Sequence, residues 1–234
     1  MSDLLGNFGL YFLIGQFPHG PLGGLALTVL LGLVALLLAL PLGVLLALAR
    51  ISRRRFLRWP VTVLVYVVRG TPLLMVVFWG YFFLPALTGK QTGQFTTMLA
   101  ALVLFNGAYL SEVVRAGIQG IPRGQAEAAR SLGLSYAGAL RWIVFPQALR
   151  NMLPSLVNQF VTTLKETSLG YIIGLQEVSF IASQINTQVV THPLAVYGTV
   201  ALTFFTLCFG LSRLAYALER RLARGRRGLQ RAIT

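Results

Sequence analysis

From residue 22 to residue 49 the chain runs without one charged side chain. A stretch of that length can cross a hydrocarbon core roughly 30 Å thick. Four more apolar stretches follow, at about 59–84, 96–115, 154–175 and 194–218. In lipid the backbone polar groups must be satisfied within each segment, so all five are expected as α-helices. The expected fold class is therefore an all-α polytopic membrane protein of about five transmembrane helices, forming a single domain over 1–234. Composition agrees: 56% of residues are hydrophobic and 11% charged, where a soluble domain carries about 25% charged residues.

The net charge of +14 would by itself suggest a nucleic-acid partner, but its placement argues otherwise. Arg50, Arg53, Arg54, Arg55 and Arg58 fill the connection after the first run. Arg123, Arg130, Arg141 and Arg150 follow the third, and Arg220, Arg221, Arg224, Arg226, Arg227 and Arg231 form the tail. The opposite side has Lys90. This is the positive-inside pattern of a polytopic membrane protein, with the N-terminus outside and the C-terminus cytoplasmic. The tail, 219–234, is expected to anchor at anionic membrane lipid, and no nucleic acid is expected as a partner. No Lys or Arg precedes Arg50, so the first run is expected to be a retained span rather than a signal peptide.

One cysteine, Cys208 in an apolar run, and two histidines, His19 and His192, make a poor inventory for metal or nucleophile chemistry. Neither a catalytic residue nor a metal site is expected. The phosphate-cradling pattern G-x-x-x-x-G-K-[ST] is not formed at Gly89-Lys90, where Leu84 and Gln91 occupy the other required positions.

The segment at about 120–146 is polar and helix-forming, and the charge pattern places it in the cytoplasm. Pro122 suits a first helical turn, and Gln125, Ala126, Glu127, Ala128, Ala129, Arg130 and Leu132 continue a helix. Gly133 is placed to end it, and Ser135 to cap a second helix running from Tyr136 to about Trp142, before Pro146. The small alanine face admits close approach by another protein. The alternative is a helix lying on lipid headgroups, but the bulky apolar face such helices bury is lacking.

The pattern E-A-A-x3-G-x9-I-x-F-P (Glu127, Ala128, Ala129, Gly133, Ile143, Pro146) resembles the EAA loop of ABC-importer permeases, with Phe145 where leucine is usual. RGTPLL (69–74), YLSEVVRAGIQGIPRGQAEAA (109–129), FPQALRNMLPSLVN (145–158) and LKETSL (164–169) are similar to the polar amino acid permeases of the histidine/glutamine type. In LKETSL, Glu166 stands where the family more often has aspartate. The resemblance implies a transmembrane subunit that moves polar amino acids by alternating access. Glu127, Ala128, Ala129, Arg130, Leu132 and Gly133 would couple it to an ATPase. It further implies two ATPase subunits, a second permease copy or sister permease, and an external solute-binding protein. ATP and Mg²⁺ would bind in the ATPases, so this chain is expected to bind no cofactor and to be no enzyme itself.

Ionisable residues inside a span cost roughly 2.5–3.5 kcal/mol each on insertion scales and are functional candidates by default. Arg69, Lys165 and Asn106 are each expected about 15 Å into their spans. Thr71 sits where Gly70 and Pro72 disturb the second span. Two cations suit an α-carboxylate, while Glu112 or Glu166 suits an α-ammonium. Asn106, Tyr109 and Glu112 share one helix face, as do Gln159, Thr162 and Glu166. The expected substrate-binding set is Arg69, Thr71, Asn106, Tyr109, Glu112, Gln159, Lys165 and Glu166. The alternative for these charges is internal pairing: Arg69 with Glu112, Lys165 with Glu166, Glu112 with Arg115. The alternative for the whole chain is a channel or ion-coupled transporter with a cytoplasmic regulatory helix.

Overall fold

The computed structural model describes residues 2–189 and 192–233, with the side chains of residues 8–189, 192–217, 219 and 220. The expected lipid anchor formed by Arg221, Arg224, Arg226, Arg227 and Arg231 lies outside the described side chains. Among the described residues every element is helical, with two isolated β-bridges, Gly15 to Leu22 and Gly24 to Glu177.

Helix α1 (Ser2–Ile14) leads into α2 (Gly24–Ile51), whose Leu, Ala and Val residues fill the first expected span. The second span is not one helix. Helix α3 (Arg55–Gly70) ends before Pro72, and the chain restarts as α4 (Leu73–Phe78), a π-helical turn (Trp79–Phe83) and α5 (Leu84–Thr88). The two halves are bent by 103°. Thr71 takes extended angles, φ −100° and ψ 136°, as a residue before proline must when the ring excludes the helical region. The third span, α6 (Gln94–Gln119), is longer than 96–115 at both ends.

Short α7 (Arg123–Ser131) and α8 (Tyr136–Ala139) form the polar loop. Pro122 flanks α7 instead of opening its first turn. Nor does the second helix stop before Pro146. It passes through a π-helical turn (Leu140–Val144) directly into α9 (Phe145–Glu166). Both π turns end two residues before a proline, Pro85 and Pro146. A wider turn relieves the clash of a proline ring with the carbonyl four residues earlier, so the helix continues.

The fourth span also differs from the expected 154–175. Helix α9 begins nine residues earlier, keeps Pro154 inside, and gives way at Thr167 to a 3₁₀ helix (Thr167–Ile173). Thr167 and Ser168 donate their hydroxyls to the carbonyls of Leu164 and Lys165, both at 2.7 Å. Such i−3 back-bonding tightens the turn. Helix α10 (Val178–Gln188) is capped by buried Glu177, whose carboxylate accepts from the N–H groups of Ser179 and Phe180 at 3.0 Å. Helix α11 (Pro193–Ile233) closes the chain.

By length and composition α2, α6 and the Pro193–Ala217 part of α11 can each cross a membrane, and the bent pair makes a fourth if counted as one span. Helix α9 is too polar to join them on that criterion; its polar stripe packs against α6.

Three apolar clusters hold the bundle. Leu31, Val65, Val77, Met98 and Leu102 join α2, α3, α4 and α6. Ala47, Val114, Ala148 and Met152 join α2, α6 and α9, and Phe12, Val178, Ile181 and Val196 join α1, α10 and α11. Helices α2 and α6 approach closely because two glycines face each other's helix. A Cβ at Gly107 would lie 2.7 Å from Leu42 Cδ2, and one at Gly43 2.7 Å from Leu110 Cβ. Small residues at a crossing let helices pack in lipid, where no hydrophobic drive brings them together. Gly107→Leu should therefore cost roughly 1–3 kcal/mol, the usual range for overpacking, and lower the thermal unfolding midpoint in detergent. An unchanged midpoint would mean that α2 and α6 do not meet there.

Candidate functional site: a polar cavity between α3, α6 and α9

Helix α6 brings Asn106, Tyr109 and Glu112 onto one face at intervals of three, as the sequence spacing predicts. Glu112 lies at the centre of a cation cluster. Its Oε2 accepts from Arg50 Nη1 at 2.8 Å and stands 3.6 Å from Arg69 Nη1, while Oε1 accepts from Arg115. Arg50 Nη1 also approaches Ser111 Oγ at 3.3 Å. The Arg69 guanidinium lies over the Tyr109 ring, 5.1 Å from its centroid. The Nε atoms of Arg50, Arg69 and Arg115 are buried and have no acceptor among the described residues. Three guanidiniums on one carboxylate leave the cluster with an excess of positive charge.

A second polar group ties α6 to α9. Fully buried Asn106 donates to Leu102 O and Glu166 Oε2, both at 3.0 Å, and accepts from Gln159 Nε2 at 2.6 Å and Thr163 Oγ at 2.8 Å. Its amide thus makes two donations and two acceptances, and a satisfied buried network of this kind fixes the register of two helices.

Between the two groups lies a cavity of about 370 Å³ lined by Arg69, Tyr109, Glu112, Asn151, Ser155 and Gln159, with Met152 and Gly117 among its apolar walls. That volume falls within the roughly 300–1,000 Å³ of small-molecule pockets. A Cβ at Gly117 would lie 2.4 Å from Met152 Cγ, so a larger residue there would displace the Met152 side chain.

Of the eight expected substrate residues, Arg69, Tyr109, Glu112 and Gln159 line this cavity. Asn106 and Glu166 stand behind it, joined to Gln159 through the Asn106 amide. Thr71 lies at the helix break with its hydroxyl donating to Val67 O at 2.9 Å, and does not reach the cavity. Lys165 does not join Arg69 around one site. Adjacent residues on a helix point about 100° apart, so with Glu166 turned onto α6, Lys165 is left on the exposed side of α9.

Sequence reasoning read Arg50 as a connection charge, yet its side chain is 5% exposed and it pairs with Glu112. It passed over Asn151 and Ser155 as lining residues. The signal was there: Asn151, Ser155 and Gln159 recur every four residues, a polar stripe on one face of α9.

The loop helix α7 ends as expected. Gly133 has φ +90°, with Gly133 N–H donating to Arg130 O at 3.0 Å and Leu134 N–H to Ala129 O at 3.2 Å. Ser135 Oγ accepts from Gly138 N–H at 3.1 Å. Glu127, Ala128, Arg130, Leu132 and Gly133 are exposed, whereas Ala129 is buried against the bundle and is not available as a surface contact.

Removing the shared carboxylate should cost more than removing a single cation, because Arg50 would be left buried without a partner. Breaking a fully buried pair costs roughly 3–5 kcal/mol; here the figure is smaller, since the Glu112 side chain is 27% exposed. Thermal unfolding should rank Glu112→Gln as more destabilising than Arg115→Ala, with Arg50→Met recovering part of the loss in the double variant. Equal effects without recovery would contradict the pairing.

The family model described as "Binding-protein-dependent transport system inner membrane component" matches residues 39–224. The chain is 35% identical over 223 residues to the Escherichia coli inner membrane amino-acid ABC transporter permease protein YhdY, covering 94% of this chain and 61% of that protein. It is 37% identical over 211 residues to the Bacillus subtilis arginine transport system permease protein ArtQ, covering 89% and 94%. With the probable glutamine ABC transporter permease protein GlnP of Bacillus subtilis it is 36% identical over 198 residues, covering 84% and 90%. Among solved structures, the crystal structure of an amino acid ABC transporter with histidines matches at 34% identity and TM-score 0.79, covering 85% of this chain and 92% of that one. The MetNI methionine ABC transporter matches at 22% identity and TM-score 0.61, which shows the shared fold. The resemblance read from the EAA, RGTPLL and LKETSL blocks is borne out, and the channel or ion-coupled alternative is set aside. The chain belongs to the binding-protein-dependent transport system inner membrane component family and is a multi-pass permease component of an ABC importer.

Proposed function

We propose that this permease moves a polar amino acid inward across the bacterial cytoplasmic membrane, holding its α-carboxylate at Arg69. One observation carries the reading: Arg69 faces a cavity of ligand size, and the carboxylate beside it, Glu112 at 3.6 Å, is shared with Arg50 and Arg115. A substrate carboxylate gives Arg69 the charge-assisted hydrogen bonds that the shared Glu112 does not. Gln159, Asn151 and Ser155 offer neutral hydrogen-bonding groups to the α-ammonium and to a polar side chain. The amino-acid transport named for YhdY, ArtQ and GlnP supports the same substrate class.

In this reading the polar helix α9 is a fifth span beside the four apolar ones, which keeps the N-terminus outside and the C-terminus cytoplasmic. A second permease copy or sister permease completes the pathway, and an external binding protein delivers the substrate. Two ATPase subunits bind ATP and Mg²⁺, and this chain binds neither. The α7 loop meets an ATPase through Glu127, Ala128, Arg130 and Leu132, the last 87% exposed. Closure of the ATPases then passes through the loop to α9, which continues from it by way of α8 and the second π turn.

Two measurements test this. Arg69→Ala should weaken substrate binding roughly 10- to 150-fold, the equivalent of a 1.5–3 kcal/mol charged hydrogen bond, in substrate-stimulated ATP hydrolysis by the reconstituted transporter. Unchanged affinity would remove Arg69 from the site. Leu132→Asp should abolish co-purification of the ATPase while leaving the permease's unfolding midpoint unchanged, whereas Ala129→Leu should lower that midpoint. Retention of the ATPase by Leu132→Asp would contradict the docking role of the loop.

A further inference from the structure

A second cavity, of about 580 Å³, lies at the base of the α7 loop, where the ends of α2 and α6 meet the start of α3 and the second π turn. Arg50, Arg58 and Arg123 line it together with Gln119 and Tyr136, and no acidic side chain does. Arg53 adds its charge nearby, stacked 5.4 Å from the Tyr136 ring centroid. The cavity is also half apolar, with Ile51, Ile118 and Val144 in its walls.

Like charges gathered around a concave, partly desolvated space repel each other unless an anion joins them. The carboxylate that Arg50 reaches is already shared. Glu112 pairs with Arg50 from the far side and is shared with Arg69 and Arg115. Arg50, 5% exposed in its side chain, has a buried Nε without an acceptor among the described residues. Arg58 and Arg123 make no ion pair among the described residues.

We propose that this cavity is a binding site for a phosphate-bearing anion, held by Arg50, Arg58 and Arg123 at the junction of the α7 loop and the spans. Guanidiniums match phosphate oxygens in bidentate geometry. The mixed lining suits the headgroup and first methylenes of an anionic phospholipid from the adjoining leaflet; a free phosphate shares the same chemistry. An anion there spans α3 and α7, stiffening the loop, and draws on the Arg50 guanidinium that also holds Glu112 in the substrate cavity. The site goes beyond the transport reading and takes from it only the cytoplasmic placement of the loop.

The test uses the permease assembled with its ATPase subunits in nanodiscs of phosphatidylcholine with or without phosphatidylglycerol. Native mass spectrometry after mild extraction counts retained lipid on the native chain, on the Arg58→Gln/Arg123→Gln variant, and on Arg54→Gln/Arg55→Gln as a charge-matched surface control. One phosphatidylglycerol retained per permease, lost in the first variant and kept in the control, identifies the lipid headgroup as the ligand. No retained lipid, but a rise in unfolding midpoint with millimolar inorganic phosphate in phosphatidylcholine alone, absent in Arg58→Gln/Arg123→Gln, identifies free phosphate. Neither effect, or equal loss in both variants, overturns the site, the arginines then being a diffuse surface charge.

Discussion

A single carboxylate, Glu112 on α6, receives Arg50 from the end of α2, Arg69 from the end of α3 and Arg115 from its own helix. A cation removed from water requires a partner, and a missing partner costs far more than a good pair gains. The ends of two helices, α2 and α3, are thus drawn to one point on α6. Because one negative charge cannot neutralise three positive ones, the cluster stays hungry for anions on both of its sides. On one side Arg69 faces the cavity assigned to the substrate; on the other Arg50 faces the basic cavity below the loop. In the proposed function this charge imbalance is what draws an anionic group to each cavity.

Around that cluster, rigid and bent elements divide the work. Asn106 locks α6 to α9 with a fully used amide, and facing glycines let α2 press against α6. Two departures from regular helix, the 103° break at Thr71-Pro72 next to Arg69 and the π turn that carries the loop into α9, follow from proline chemistry. The polar loop is continuous, through one helix, with the stripe of Asn151, Ser155 and Gln159 that lines the cavity proposed for the substrate.

Much of this was legible in the sequence. Apolar run length indicated α2, α6 and the apolar part of α11, and cap chemistry at Gly133 and Ser135 placed the loop helices correctly. The EAA and flanking blocks led to the family. Span two is one continuous run in the sequence although Pro72 interrupts it, because run length carries no information on the 103° between its two halves. Span four was misplaced because its helix is not apolar: polar residues facing α6 hide it from a hydropathy reading, and the hydroxyls of Thr167 and Ser168 end it early. Depth alone grouped Lys165 with Arg69, whereas helical phase separates Lys165 from Glu166. Arg50 was lost among the neighbouring arginines, since burial at a helix end depends on what packs there.

The central claim is that Arg69 receives the carboxylate of the transported amino acid within this permease. An electron cryomicroscopy map of the assembled transporter, with a polar amino acid that stimulates its ATPase, tests it most directly. The account predicts ligand density between α3, α6 and α9 with its carboxylate at hydrogen-bonding distance from the Arg69 guanidinium. Ligand density away from this cavity, with Arg69 closed onto Glu112 as a plain ion pair, would contradict it.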